Sequence, residues 1–115
     1  MSRSLRFYLT DIISSIDKIQ QYTFGMAYDD LLEDDKTLDA VIHNLQIIGE
    51  ATKQIPESIR EKYLYIPWRQ VAGLRDIIAH TYFMVNPKIV WNIIDTELKP
   101  LQDCVALILQ NEVLS

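Results

Sequence analysis

Leu5, Leu9, Ile12, Ile16 and Ile19 recur at alternating steps of four and three residues, and Tyr8 and Ile13 widen the stripe. That period places them on one face of a helix over about residues 4–22. Gly25 lies in the break that follows. A second stripe of Leu38, Val41, Ile42, Leu45, Ile48 and Ala51 or Thr52 predicts a helix from Asp35 or Lys36 to Gln54, ended by Pro56. The segment from Pro56 to Leu64 can form a short helix. Pro67 suits the first turn of another, since proline has no N–H to leave unsatisfied there. That helix is expected to run from Pro67 to Tyr82. Asn86-Pro87 is a helix-start pair, a capping residue followed by proline. Ile89, Val90, Ile93 and Ile94 follow it, and Pro100 is expected to break or kink the helix near Leu98. Leu101, Cys104, Val105 and Ile108 mark a last apolar face. No segment shows the two-residue alternation of a half-buried strand. The expected fold is all-α, an up-and-down bundle of four to five helices, with residues 1–115 as a single helical domain.

Composition narrows the function. Apolar residues make up 49% of the chain and charged ones 23%, which suits a soluble domain with an ordinary core. The formal net charge of −5 argues against a protein that coats long nucleic acid, because each phosphate contact wants a cation. A small basic cleft on an acidic body remains open. Asp29, Asp30, Glu33, Asp34 and Asp35 crowd into seven residues. They read as a solvated turn and helix start, or as a docking surface for a basic partner. Cys104 is the only cysteine, so no internal disulfide forms, and its apolar setting reads as a small buried hydrophobe. Asp11 and Asp17 interrupt the first apolar run, so a signal peptide is not expected. No stretch reaches the ~20 apolar residues of a membrane span. A cytoplasmic protein without membrane contact is the expectation.

The chemistry gathers between Gly73 and Phe83, in GLRDIIAHTYF. Leu74, Ile77, Ile78, Ala79 and Phe83 are what any buried helix carries. Arg75, Asp76, His80 and Tyr82 are not. On a regular helix Gly73, Asp76, Ile77 and His80 share one face, and Arg75 and Tyr82 stack two turns apart on a neighbouring one. Asp76 can then accept a hydrogen bond from a His80 ring N–H, which fixes the tautomer and keeps the imidazole basic. A helix C-terminus favours the imidazolium as well. These are conditions for acid–base work near neutral pH. The bare pattern also fits polar residues that merely satisfy neighbours. His43, the other histidine, lies mid-helix and reads as a packing or surface residue. Two histidines so far apart, with no cysteine cluster, do not make a zinc site. No Gly-rich phosphate loop is present.

Arg75-x4-His80-x-Tyr82 resembles the signature of HEPN domains, and specifically of the HepT toxin family of toxin–antitoxin systems. The resemblance spans nearly the whole chain. It includes LDAVIHNLQIIGEATKQIP with Gly49-Glu50-Ala51, IPWRQVAGLRDIIAHTYF, VNPKIVWNIIDTELKPL with Val90-Trp91, and the Leu-rich last helix. Many HEPN proteins carry Asn directly after the arginine, where this chain has Asp76. A carboxylate cannot donate to a phosphate, so the role left to Asp76 is to orient His80 or Arg75.

The resemblance implies metal-independent RNA cleavage, with a ribose 2′-hydroxyl attacking the adjacent phosphate and tRNA as the expected substrate. His80 would be the acid–base residue and Arg75 would stabilise the phosphorane charge. Cleavage needs both a base and an acid, and a homodimer that apposes two copies of the motif supplies both. Ala72, Gly73 and Ala79 are small enough to let two such helices approach. The resemblance also implies a partner, a nucleotidyltransferase antitoxin of the MntA type. It uses ATP to transfer AMP to Tyr82, while the chain itself needs no cofactor. The rival reading is a non-catalytic helical subunit that binds an anion or nucleotide for that nucleotidyltransferase.

Overall fold

The computed structural model describes residues 4–74 and 86–114. Among these all the regular secondary structure is helical, with no strand, as the apolar periods require. Helix α1 spans Leu5–Tyr22, α2 Tyr28–Leu32, α3 Asp35–Lys53, α4 Glu57–Arg60 and α5 Trp68–Ala72. Helix α6 spans Pro87–Asn92 and passes into a π-helical segment at Ile93–Glu97. Helix α7, Leu98–Ile108, continues that run and ends in a second π segment at Leu109–Leu114.

The core is the meeting of three stripes. Leu9, Ile12, Ile16 and Ile19 of α1 are fully buried, and α1 packs chiefly against α3 and α7. Val41, Leu45 and Ile48 answer from α3, and Leu101, Cys104, Val105 and Ile108 from α7. Burying four aliphatic side chains stabilises by roughly 6–12 kcal/mol before entropy is counted. The ion pair Lys99–Asp103 at 3.1 Å has both side chains largely in water and contributes about 0–1 kcal/mol. Apolar packing therefore holds the bundle together. Three buried polar side chains, Thr23, Asn44 and Thr52, bond back to carbonyls four residues earlier. Asn44 Nδ2 donates to the Ala40 carbonyl at 2.9 Å, and Thr52 Oγ1 to the Ile48 carbonyl at 2.7 Å.

The connections follow local chemistry. Gly25 has φ +77°, a left-handed conformation that costs glycine little and other residues more. Two members of the acidic run, Asp30 and Asp34, serve as caps. Asp30 accepts from the Ala27 N–H at 2.8 Å. Asp34 caps α3, accepting from the Thr37 N–H at 3.0 Å and the Thr37 hydroxyl at 2.8 Å. The Thr37 backbone bond, then the hydroxyl, holds the Asp34 carboxyl below its ordinary 3.8. A depressed folded value stabilises above the unfolded pKa, and that contribution is lost as pH falls through the folded one. Asp34→Ala should therefore melt a few degrees below wild type at neutral pH, with the gap closing below pH 3.8. Thermal melts at pH 7 and through a series of pH values well below 3.8 measure it. A gap that persists in acid would show that the cap acts without its charge.

Three expectations need correction. The helix expected from Pro67 to Tyr82 is interrupted at Gly73, where α5 ends with Ala72 and Gly73 is its C-cap, and Leu74 is helical again; the part of that helix from Arg75 onward lies outside the described residues. Gly73 has ψ −9°, its N–H bonds back to Arg69, and glycine is a poor residue for continuing a helix. Pro67 itself sits at the N-cap, one position before the first turn. The break or kink expected from Pro100 near Leu98 takes another form: the helical run 87–114 does not break, but its α-helical pattern is interrupted by the π segment Ile93–Glu97 and resumes at Leu98. A proline lacks an N–H and its ring collides with the carbonyl four residues earlier, and the π segment immediately upstream accommodates it. Ile89, assigned to the apolar face of α6, is 59% exposed, whereas Val90 and Ile93 are buried.

Candidate functional site

Arg75, Asp76, His80 and Tyr82 lie outside the described residues. The two ends of the segment that carries them are well rooted. On the entering side, Ile66 and Trp68 are buried. The Trp68 indole Nε1 donates to the Tyr63 carbonyl at 3.0 Å, and its backbone N–H to the Ile66 carbonyl at 2.8 Å. Helix α5 packs on α3, so Gly73 and Leu74 start from a fixed platform. On the leaving side, the Asn86 side chain caps α6 by accepting from the Lys88 N–H at 2.9 Å. Val90 is buried below it. Trp91 meets Tyr28 with ring centroids 6.3 Å apart and planes tilted by 57°, which ties α6 to α2.

A second tie braces the approach to α5. Lys62 Nζ pairs with Glu112 Oε1 at 3.0 Å. The Tyr63 hydroxyl donates to Glu112 Oε2 at 3.4 Å and accepts from Asn111 Nδ2 at 3.3 Å. The last turn of the chain thus holds the loop that launches α5. This contact joins residues about fifty positions apart, and no periodicity in the sequence reveals it.

Other candidates fall away on chemistry. His43 is exposed on α3, as its mid-helix place suggests. Cys104 is 1% exposed, and burial pushes its thiol up, which keeps it protonated and unreactive. The bond with Cys104 in turn raises the Tyr65 phenol. Among the described residues, no group of three or more His, Cys, Asp or Glu side chains could hold a metal ion. Nor is any described helix long and apolar enough to cross a membrane.

The helices define a small all-α bundle of the HEPN kind, and in the sequence Arg75, Asp76, His80 and Tyr82 fall between α5 and α6. The chain belongs to the ribonuclease HepT-like family, whose pattern it matches over residues 12–108. It is 39% identical over 102 residues to a Thermococcus cleftensis protein named "Probable ribonuclease HepT", covering 89% of this chain and 93% of the relative. A candidate RNase of Methanocaldococcus jannaschii is 41% identical over 92 residues, 80% of this chain and 76% of its own. A candidate RNase of Caldanaerobacter subterraneus subsp. tengcongensis is 37% identical over 107 residues, 93% and 96% of the two chains. No solved structure matches significantly.

Proposed function

We propose that the chain is a metal-independent endoribonuclease acting on tRNA, the toxin of a toxin–antitoxin pair. The observation that carries this reading is the Arg75-x4-His80-x-Tyr82 spacing within a chain of the ribonuclease HepT-like family. His80 takes the proton from a ribose 2′-hydroxyl, whose oxygen attacks the adjacent phosphorus. The bond to the 5′-oxygen breaks, and that oxygen receives a proton from a second acid. A second copy of His80, brought up across a homodimer, is the group available for that step. Arg75 offers planar, paired donors to the phosphate oxygens as charge builds. Asp76 orients the imidazole or the guanidinium. The products end in 2′,3′-cyclic phosphate and 5′-hydroxyl.

Control follows from Tyr82. An MntA-type nucleotidyltransferase directs the Tyr82 hydroxyl oxygen onto the α-phosphorus of ATP; the bond to the β-phosphate breaks, pyrophosphate leaves, the phenol proton goes to solvent, and the added phosphodiester sits against Arg75 and His80 and excludes RNA.

The test is purified protein with total tRNA, with and without chelator, followed by end-group analysis and light scattering. Cyclic-phosphate ends, indifference to chelator and an even-numbered oligomer are expected. RNA bound but left intact favours a non-catalytic binding subunit, and a stable monomer at micromolar concentration removes the two-histidine mechanism.

A further inference from the structure

Helices α4 and α5 enclose a groove of about 380 Å³ lined by Glu57, Arg60, Glu61, Leu64, Trp68 and Arg69. Arg60 comes from the last turn of α4 and Arg69 from the second position of α5. Arg60 Nε is buried and has no hydrogen-bond partner. Among the described residues, neither arginine forms an ion pair, although Glu57 and Glu61 share the groove with them. A guanidinium that passes over nearby carboxylates keeps its planar donors for another anion. Leu64, 75% exposed, gives the groove an apolar shelf that a ribose or base can cover.

Position makes this groove useful. Arg69 precedes Arg75 by six residues, so their Cα atoms lie no more than about 20 Å apart however the chain runs between them. We infer that Arg60 and Arg69 form a phosphate-binding subsite for single-stranded RNA flanking the scissile bond. The inference rests on the ribonuclease reading for the identity of the anion. It also bears on the charge of the protein: an acidic body can hold RNA if a few cations are left unneutralised beside the reacting segment. The two glutamates limit the subsite, because a strand approaching over Glu61 is repelled. Affinity should be modest and steeply dependent on salt.

The experiment is binding of a fluorescent 2′-O-methyl oligoribonucleotide of about ten nucleotides, measured by anisotropy over a range of salt. A blocked 2′-oxygen cannot attack, so the probe survives. Arg60→Gln and Arg69→Gln should each weaken binding about three- to tenfold and flatten the logarithmic salt slope by about 0.7. Arg60→Lys keeps the charge and should keep the slope. Glu61→Gln should tighten binding, an effect that loss of folding cannot imitate. A double arginine variant with wild-type affinity and slope overturns the subsite, as does wild-type protein that does not bind the probe. The two readings separate cleanly. Wild-type protein that binds through these arginines but cuts no RNA sinks the ribonuclease reading and leaves the subsite standing. Cleaving protein whose double variant keeps its slope does the reverse.

Discussion

His80→Ala should lose RNA cleavage by about 10²–10⁴-fold, the range that positioned acid–base catalysis supplies. In barrier terms that is about 3–5 kcal/mol, more than any surface contact in this protein could account for. The substitution removes a side chain and leaves Ile16, Leu45 and Val105 to hold the core, so the melting temperature should hardly move. Arg75→Ala should cost a comparable amount for a different reason, since the charge on the phosphorane would lose its planar partner. Asp76→Asn separates positioning from catalysis. A carboxylate beside an imidazole favours its protonated form, so removing that charge should move the acid limb of the pH–rate profile downward. A merely structural Asp76 would leave the limb in place. If His80→Ala retains full activity in a nuclease-free preparation, the catalytic assignment fails and the binding-subunit reading takes its place.

How far the sequence could be read depends on which forces are local. The ends of α1 and α3 were legible because each combines an apolar stripe with a stop, Gly25 after the first and Pro56 after the second, while the cap at Asp34 emerged only from the structure. Asn86-Pro87 was legible for the same reason, as the capping oxygen and the fixed φ act within three residues. Pro100 was harder. Its clash falls on a carbonyl four residues upstream, and whether the helix breaks or widens depends on the packing of Ile93 and Leu98 on either side. Gly73 posed the opposite problem, because a residue without a Cβ reads equally well as a close helix contact or as a helix end. Arg75, Asp76, His80 and Tyr82 were readable as a spacing motif within the stretch that the family match covers, and they lie outside the described residues. The Arg60–Arg69 groove was not readable, because it depends on how the loop between α4 and α5 folds over Trp68.

On the proposed mode of control, Tyr82→Phe should leave a protein that a nucleotidyltransferase partner can no longer silence by modification. The change removes one oxygen and keeps the ring, so packing and fold should persist. Tyr82 stands two residues past His80 and seven past Arg75, which on a helix stacks it with the arginine. A phosphodiester formed there carries negative charge to the guanidinium that RNA needs, and the pair is of the strong, charge-assisted kind. Neutralisation would then come from self-occupancy of the cleft, with no need for the partner to remain bound. Co-expression with an MntA-type nucleotidyltransferase should raise the intact mass of wild-type protein in steps of one AMP residue, mapped by peptide fragmentation to Tyr82. The same treatment should leave Tyr82→Phe unshifted and toxic to the cell, provided the hydroxyl has no part in cleavage. Cleavage assays on the isolated variant check that proviso directly. A wild-type protein that is neutralised while unmodified would overturn the mechanism and point to steric occlusion. In that event the acidic surface from Asp29 to Asp35 is the place to substitute, sparing Asp30 and Asp34, whose carboxylates are committed to capping α2 and α3.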